Sequence, residues 1–466
     1  MSDSPPSDSP PTPPTRNPAH DEKRFKPITT PCEWVEDYHP GGYHPVHLGD
    51  IFNNGQYKAI RKLGEGSYST VWLARDVWEN RYVALKILVS AVSSSTAELN
   101  ILRHLAKVAQ KDAAQHIVHL LGDFDHRGPN GVHKVLVLEP MGSSVNSMVE
   151  ELPQFNPRTL GMRVRYPPQM AKRILKQSLQ GLAFLHKNGI AHGDFQPGNM
   201  LFSLNDINSE PEDVLRQAED AQGGSISPPV ERLDGKPDKW APRYLCTAQP
   251  LSTFTQYTEG FKIKLSDMGG AVVNDWICTN CYSSQTAYFF TDPPLKLVTP
   301  LGLRAPELIL KGAVNPTLDV WSFGCLVFEL ITGQPLFCVP GGEFKDDDHL
   351  LSLTSQLGPL PDELFKHWKT SSFYFTPEGK LFNCQVGGCG EGEEPLMLEE
   401  TSMEELFDEA GPDISDEEAG TIKRLIRRIL QYDPARRPSP SEILQDPWFS
   451  ELEMVQMDGV VETQND

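Results

Sequence analysis

The order in which two hydrophobic periodicities follow one another limits this chain more than any other feature. From Tyr57 onward it reads as three short strands, YKAIRKLG, STVWLARD and YVALKILV, with a glycine-rich turn between the first two. Residues 94–110 shift to helical period, with Leu99, Leu102 and Leu105 on one face, and VLVLE at 135–139 returns to a buried strand. Beyond Pro140 the pattern is mainly helical. AKRILKQSLQGLAFLHKNG (171–189) is amphipathic and stops at Gly189, while LDVWSFGCLVFELITG (318–333) is apolar nearly all round and reads as a buried central helix. EEAGTIKRLIRRILQYDP (417–434) is amphipathic again. The expected architecture is α+β and bilobal, a small β-rich lobe followed by a larger α-helical one.

The segments around these elements differ in composition. The first 18 residues hold seven Pro among Ser, Thr and Asp, so residues 1–33 are expected to be a disordered tail, with ordered chain beginning in the aromatic cluster Trp34–Tyr43. The expected division is 34–140 for the small lobe, 141–452 for the large lobe and 453–466 for a C-terminal tail. Residues 205–260, with six Pro and mixed charge, read as an insertion or linker. A second insert, 335–418, ends in a stretch (391–418) with thirteen Asp/Glu and no Lys or Arg, expected as a partly flexible acidic surface.

Charge and cysteine usage exclude several function classes. The balance of 42 Lys+Arg against 63 Asp+Glu, net −21, argues against direct nucleic-acid binding and favours basic partners. No apolar stretch approaches the ~18 residues that span a bilayer. The start, MSDSPPSDSPPTPPTR, lacks the apolar core of a secretory signal. Eight Cys form no disulfide framework, so a reducing compartment, cytoplasm or nucleus, is expected.

Chemistry-bearing motifs run through both lobes. Leu63-Gly64-Glu65-Gly66-Ser67-Tyr68-Ser69-Thr70-Val71 lets backbone N–H groups approach phosphate oxygens without a Cβ in the way. Lys86, in Val83-Ala84-Leu85-Lys86, is a costly charge on an apolar strand unless it meets anions, and Glu98 is a candidate partner. His192-Gly193-Asp194-Phe195-Gln196-Pro197-Gly198-Asn199 places an Asp and an Asn five apart in a loop after a helix. The Asp can accept a hydroxyl proton while the Asn offers an amide oxygen to a metal. Asp267, in Asp267-Met268-Gly269, can bridge Mg²⁺ to nucleotide phosphates. Arg304-Ala305-Pro306-Glu307, Asp319-Val320-Trp321-Ser322-Phe323-Gly324 and Asp433-Pro434-Ala435-Arg436-Arg437-Pro438 follow. Taken singly, most of these have an ordinary explanation: a tight turn, a snorkelling Lys, a solvated helix Glu. In this order they form the protein-kinase signature set.

Within that superfamily the chain resembles the SR-protein kinases, which phosphorylate Arg/Ser repeats of splicing factors, in a short-spacer, fungal-like form. The resemblance rests on Gly41-Gly42-Tyr43-His44-Pro45-Val46 with Gly49-Asp50, on Ser69-Thr70-Val71-Trp72 in place of the third loop glycine, and on the 68 positions separating Asn199 from Asp267. It covers about residues 42–450. It implies ATP and Mg²⁺ as cofactors, a monomer, and Ser in Arg/Ser-rich or otherwise basic proteins as substrate. Leu63, Gly64, Gly66, Ser69, Val71, Ala84, Leu201 and the hinge residues Glu139 and Met141 would bind nucleotide. Lys86, paired with Glu98, would hold the α/β-phosphates. Asp194 would be the catalytic Asp, with Gln196 and Thr299 beside it, and Asn199 and Asp267 would bind Mg²⁺. Asp346, Asp347 and Asp348 resemble the acidic start of the family's docking insert. Glu307 with Arg437, and Asp319, would stabilise the large lobe.

Two departures stand out. Gln196 occupies a position where Ser/Thr kinases have Lys, so it offers a donor without charge, and a rival reading is a pseudokinase or slow kinase acting as a binding module. Gly193 replaces the Arg that in many kinases reads a phosphorylated activation loop. Cys278 and Cys281 have metal-ligand spacing, with Cys384 and Cys389 further on, but unpaired thiols are the expectation. Lys423, Arg424, Arg427 and Arg428 are expected to be a solvated helix face.

Overall fold

The computed structural model describes residues 23–94, 97–108, 114–155, 157, 162–269, 287–294, 299–398 and 400–450. The small lobe is a six-stranded antiparallel sheet of β1 (Ile51–Phe52), β2 (Tyr57–Gly66), β3 (Ser69–Asp76), β4 (Arg81–Leu88), β5 (Leu120–Gly128) and β6 (Gly131–Leu138), in the order β1-β2-β3-β4-β6-β5. Alternation in β4 sends Val83, Leu85 and Ile87 into a core shared with Ala59, Trp72, Val135 and Val137. Its register sets Lys86 opposite Val71 on one side and Leu136 on the other. β5 has no strand signature, since LLGDFDHRG carries two Gly and two Asp. It forms because β6 supplies a partner across a tight hairpin, and pairing overrides a weak propensity. α1 (Ala97–Val108) turns Leu99, Leu102 and Leu105 inward, as its periodicity predicts.

The large lobe begins with α2 (Val145–Glu151) and α3 (Pro168–Lys187), followed by two short ladders. β7 (Ile190–Ala191) pairs with β10 (Tyr288–Phe289), and β8 (Met200–Phe202) pairs with β9 (Ile263–Leu265). After α5 (Pro306–Lys311) comes α6 (Thr317–Thr332), buried at all but two of its positions and packed against α3. α7 (Lys345–Leu357), α8 (Asp362–Phe365), α9 (Met403–Ala410), α10 (Asp416–Ile429) and α11 (Pro440–Ile443) complete it.

The structure differs from the sequence reading at both low-complexity regions. Described chain starts at residue 23, not 34, and Arg24 and Phe25 are already buried. The Arg24 guanidinium pairs with Glu36 at 3.0 Å, while Lys26 N–H and Leu233 N–H bond across to Glu231 and Arg24 carbonyls. The 205–260 insertion, which contains α4 (Glu212–Leu215), is not a linker but a packed element. Its Ile207, Leu215 and Leu251 form a core with Ile60, Leu73 and Tyr82 of the small-lobe sheet. Gln217 N–H donates to the Ile60 carbonyl, and Gln249 N–H to that of Lys62, so the insertion caps the exposed edge of β2. Its apolar residues are too sparse and aperiodic to signal this.

The acidic 391–418 stretch also gains structure. Ser402 and Glu405 form a reciprocal capping box on α9, whose acids meet the basic face of α10: Lys423–Asp408 at 2.5 Å and Arg427–Glu404 at 2.6 Å. That face is therefore paired rather than simply solvated, with Arg428 joined to Asp446 at 3.0 Å and Arg424 bonded to the Thr421 hydroxyl.

Arg437 reaches Glu307 through two bonds, 2.6 and 2.8 Å, with both side chains almost wholly buried. Glu307→Ala strands that guanidinium in the lobe interior and is expected to destabilise the protein by about 3–5 kcal/mol. A urea melt would check this, and a loss below about 1 kcal/mol would contradict it.

Candidate active site in the interlobe cleft

A cavity of about 490 Å³ lies between the lobes. Its roof is Leu63, Gly64, Gly66, Ser69, Val71 and Ala84 of the small-lobe sheet, with Lys86 and Glu98 deeper in. Glu139 and Met141 line it where the chain crosses between lobes, and Leu201, Asn199 and Asp267 form its floor. All the residues expected to bind nucleotide thus converge on one space.

Lys86 is the electrostatic centre. Its ammonium donates to Glu98 Oε1 and to Asp267 Oδ1, both at 2.7 Å. Burial works against its charge, yet the two carboxylates hold its pKa above the ordinary lysine value. Asp267 is pushed below the usual carboxylate range: burial opposes this, but the Lys86 charge and hydrogen bond prevail. Burial raises Glu98, as does the Asp267 charge, with Lys86 offsetting them only in part. Asp267 also adopts φ +58°, an uncommon conformation for a non-glycine residue. Two residues on, a Cβ at Gly269 would lie 2.6 Å from Glu98 Oε2, so a larger residue there would have to displace the Glu98 carboxylate.

Asp194 stands at the other end of the loop. Gln196 Nε2 donates to its Oδ1 at 2.7 Å, and Asn199 Nδ2 to its Oδ2 at 2.8 Å. Burial raises its pKa, helped by the Asp267 charge; His192 and the two amides act the other way. The loop hangs from α6, where Asp319 accepts the N–H groups of His192 and Gly193, both at 2.8 Å, and contacts His186 Nε2 at 2.9 Å. Gly193 has φ +74°, the left-handed region, which explains a glycine there independently of any phosphate-reading role. Thr299 departs from expectation: its hydroxyl donates to the Gly193 carbonyl at 3.2 Å, so it touches the loop's backbone rather than Asp194 or Gln196.

The Asp346–Asp348 cluster splits. Asp347 is buried and accepts from Trp368 Nε1 (2.7 Å), Thr370 Oγ1 (2.5 Å) and Tyr374 OH (2.9 Å), so it folds the insert and is not available for docking. Asp346 is exposed, 3.5 Å from Arg304, and Asp348 is half-buried. Cys278 and Cys281 lie outside the described residues, and Cys384 and Cys389 are free thiols. Among the described residues no group of three or more His, Cys, Asp or Glu could hold a metal ion by itself.

Sequence reasoning missed several lining residues. Ser143, Ser144 and Ser147 follow the hinge, and Pro250 and Leu251 come from the insertion, far from any motif. It also missed that Lys264 clasps Glu139 at 2.7 and 2.8 Å, tying the hinge to the strand that leads to Asp267. A lone acid at the hinge, Glu139, and the lysines Lys262 and Lys264 at the strand were the only available signs.

The family model described as protein kinase domain matches residues 57–210 and 259–449, leaving out most of the insertion. The serine/threonine-protein kinase SRPK of Physarum polycephalum is 30% identical over 435 residues, 90% of this chain and 92% of that protein. This chain belongs to the SR-protein kinase family of protein kinases. The kinase is also 28% identical to protein kinase dsk1 of Schizosaccharomyces pombe, over 91% of this chain and 86% of that one. Human SRSF protein kinase 3 is 26% identical, over 89% and 90% respectively. A crystal structure of a kinase domain shares the fold, with TM-score 0.57 and 22% identity over 87% of this chain and 98% of that one. The protein is therefore a serine/threonine protein kinase, from a family that generally uses ATP and Mg²⁺. Among its described residues no helix is long and apolar enough to cross a membrane.

The contacts of Asp194 make its titration predictable. Gln196→Leu removes a donor that favours the carboxylate and should raise the Asp194 midpoint. Gln196→Lys adds a cation and should lower it. Carbonyl-labelled NMR of the carboxyl group would read both, and shifts of the same sign would refute this account of the site.

Proposed function

We propose that this kinase transfers the γ-phosphate of ATP to Ser in Arg/Ser-rich, splicing-factor-like proteins. The observation that carries the chemistry is the Lys86 ammonium 2.7 Å from both Glu98 and Asp267, which gathers the nucleotide-binding and metal-binding strands around one cation. Lys86 would hold the α/β-phosphates. A Cβ on Gly64 or Gly66 would meet no protein atom within 4 Å, so packing does not demand glycine there, and close approach of phosphate oxygens does. Asn199 donates its amide N–H to Asp194, which leaves its oxygen to pair with an Asp267 oxygen as hard donors suited to Mg²⁺. When bound, that ion neutralises phosphate charge. Asp194, held by two amides, would orient the Ser hydroxyl and receive its proton, with Gln196 as a neutral donor beside it. Thr299 would act only by fixing the Gly193 carbonyl. The rival reading of a module without turnover finds no support in the assembled cleft or among the relatives.

Substrate choice is supported by the net charge of −21, by relatives named as SRSF protein kinases, and by Asp346 and Asp348 at the start of α7. Partners of this kind need no nucleic acid, and a cytoplasmic or nuclear monomer fits them.

An assay with Mg²⁺-ATP and an Arg/Ser-repeat peptide tests the reading. Asp194→Asn should lower turnover by orders of magnitude while ATP still binds, and Asp267→Ala should weaken Mg²⁺-ATP binding as well. Wild-type protein that binds Mg²⁺-ATP but transfers nothing to any basic protein would overturn it.

Docking has a separate test. Asp346→Asn with Asp348→Asn should raise KM for a long Arg/Ser-repeat protein at low salt and leave KM for ATP unchanged. Equal KM values for the long substrate would remove both residues from docking.

A further inference from the structure

Lys62 lies on β2, directly before the glycine-rich segment that begins at Leu63, and its side chain is fully buried. Its ammonium pairs with Glu33 of the N-terminal segment and, at 3.1 Å, with Glu65 near the end of the same strand. It also donates to the Cys246 carbonyl of the insertion at 2.9 Å. The insertion holds its backbone on both sides: Lys62 N–H donates to Gln217 Oε1 at 2.9 Å, and its carbonyl accepts from Gln249 N–H. Tyr38 OH donates to Glu33 from below. A second tether comes from Tyr43, whose hydroxyl donates to the Gly66 carbonyl at 2.7 Å. The segment supplying Glu33, Tyr38 and Tyr43 is itself anchored by Arg24 to Glu36 and by Phe25 in the core beside Leu245 of the insertion.

A lysine with no exposed surface is costly unless its partners are fixed. Here one partner, Glu65, lies on the second-last rung of the β2–β3 ladder, just before the two-residue turn Ser67–Tyr68 that closes the glycine-rich hairpin. We propose that Lys62 and Tyr43 are positioning residues for this turn, through which the N-terminal segment and the insertion set the kinase's affinity for nucleotide. The inference rests on the turn binding nucleotide phosphates, as proposed above. A turn already held at Glu65 and Gly66 loses little conformational freedom when phosphates arrive, so the tethers act on nucleotide binding rather than on the transfer step. Neither residue touches the reacting groups.

Tyr43→Phe removes one hydroxyl and keeps the ring in its packing. It should raise KM for ATP and the dissociation constant of Mg²⁺-ADP roughly threefold to tenfold, the range for one lost hydrogen bond. Turnover at saturating ATP and KM for an Arg/Ser-repeat peptide should change less than about twofold. Glu65→Ala is the second variant: it cuts the Lys62 tether while Lys62 keeps Glu33, so the buried charge is not stranded. It should weaken Mg²⁺-ADP binding in the same way. Calorimetry on the full chain measures that constant directly. Unchanged ADP affinity in both variants, with wild type binding normally, overturns this inference alone. A fall in turnover with unchanged ADP affinity also overturns it, because that is the behaviour of a merely structural contact. Wild-type protein that binds no nucleotide overturns both this inference and the functional reading beneath it.

Discussion

The Asp319 carboxylate is the contact on which the catalytic cleft depends. It is buried near the start of a helix that is itself almost wholly enclosed, and it receives the N–H groups of His192 and Gly193 and the ring of His186. A carboxylate in that position must be satisfied by donors, and the loop supplies them. The loop backbone is consequently locked to a helix that is buried at all but two of its positions. His192 carries the registration onward, since its Nε2 meets the Ser266 carbonyl, next to Asp267. Asp194 and Asp267 lie 73 positions apart in sequence, yet both take their places from one helix.

Within this frame the cleft works by balance of charge. Two carboxylates, Glu98 and Asp267, meet on one cation, Lys86, and a third, Asp194, feels the charge of Asp267. Burial raises Asp194 and Glu98, with the Asp267 charge adding to it, while Asp267, directly bonded to Lys86, is held below the usual carboxylate range. A site biased in this way favours the arrival of cations, whether a metal ion with its nucleotide or the basic side chains of a protein substrate. Gln196 keeps the hydrogen-bond geometry around Asp194 without adding to the positive side of that balance.

Much of this was legible in the sequence where local periodicity and motif order agree. Strands β2, β3 and β4 and helices α3 and α6 fall within a few residues of their expected bounds, because each has a continuous pattern of buried side chains. The cleft-lining residues were readable because they belong to an ordered series. Illegible features depend on partners far away in the chain. β5 needs β6, and the insertion needs the edge of β2. Asp347 looked like one of three equivalent acids, but helical geometry turns it alone toward Trp368, Thr370 and Tyr374. Thr299 was matched by type, while its bond goes to a backbone carbonyl that no sequence pattern displays.

The route of the insertion has a mechanical meaning. The chain leaves the large lobe after β8 and comes back into it at β9, and those two strands are paired to each other, Phe202 opposite Ile263. Between these fixed ends it climbs to the small-lobe sheet and is bonded to Ile60 and Lys62. It is thus a belt buckled to one lobe at both ends and stitched to the other at its middle. The lobes of such a molecule cannot swing apart about the hinge alone. Any opening of the cleft must also pay out slack in the belt or peel it from the sheet, which couples the breathing of the cleft to a part of the chain that performs no chemistry.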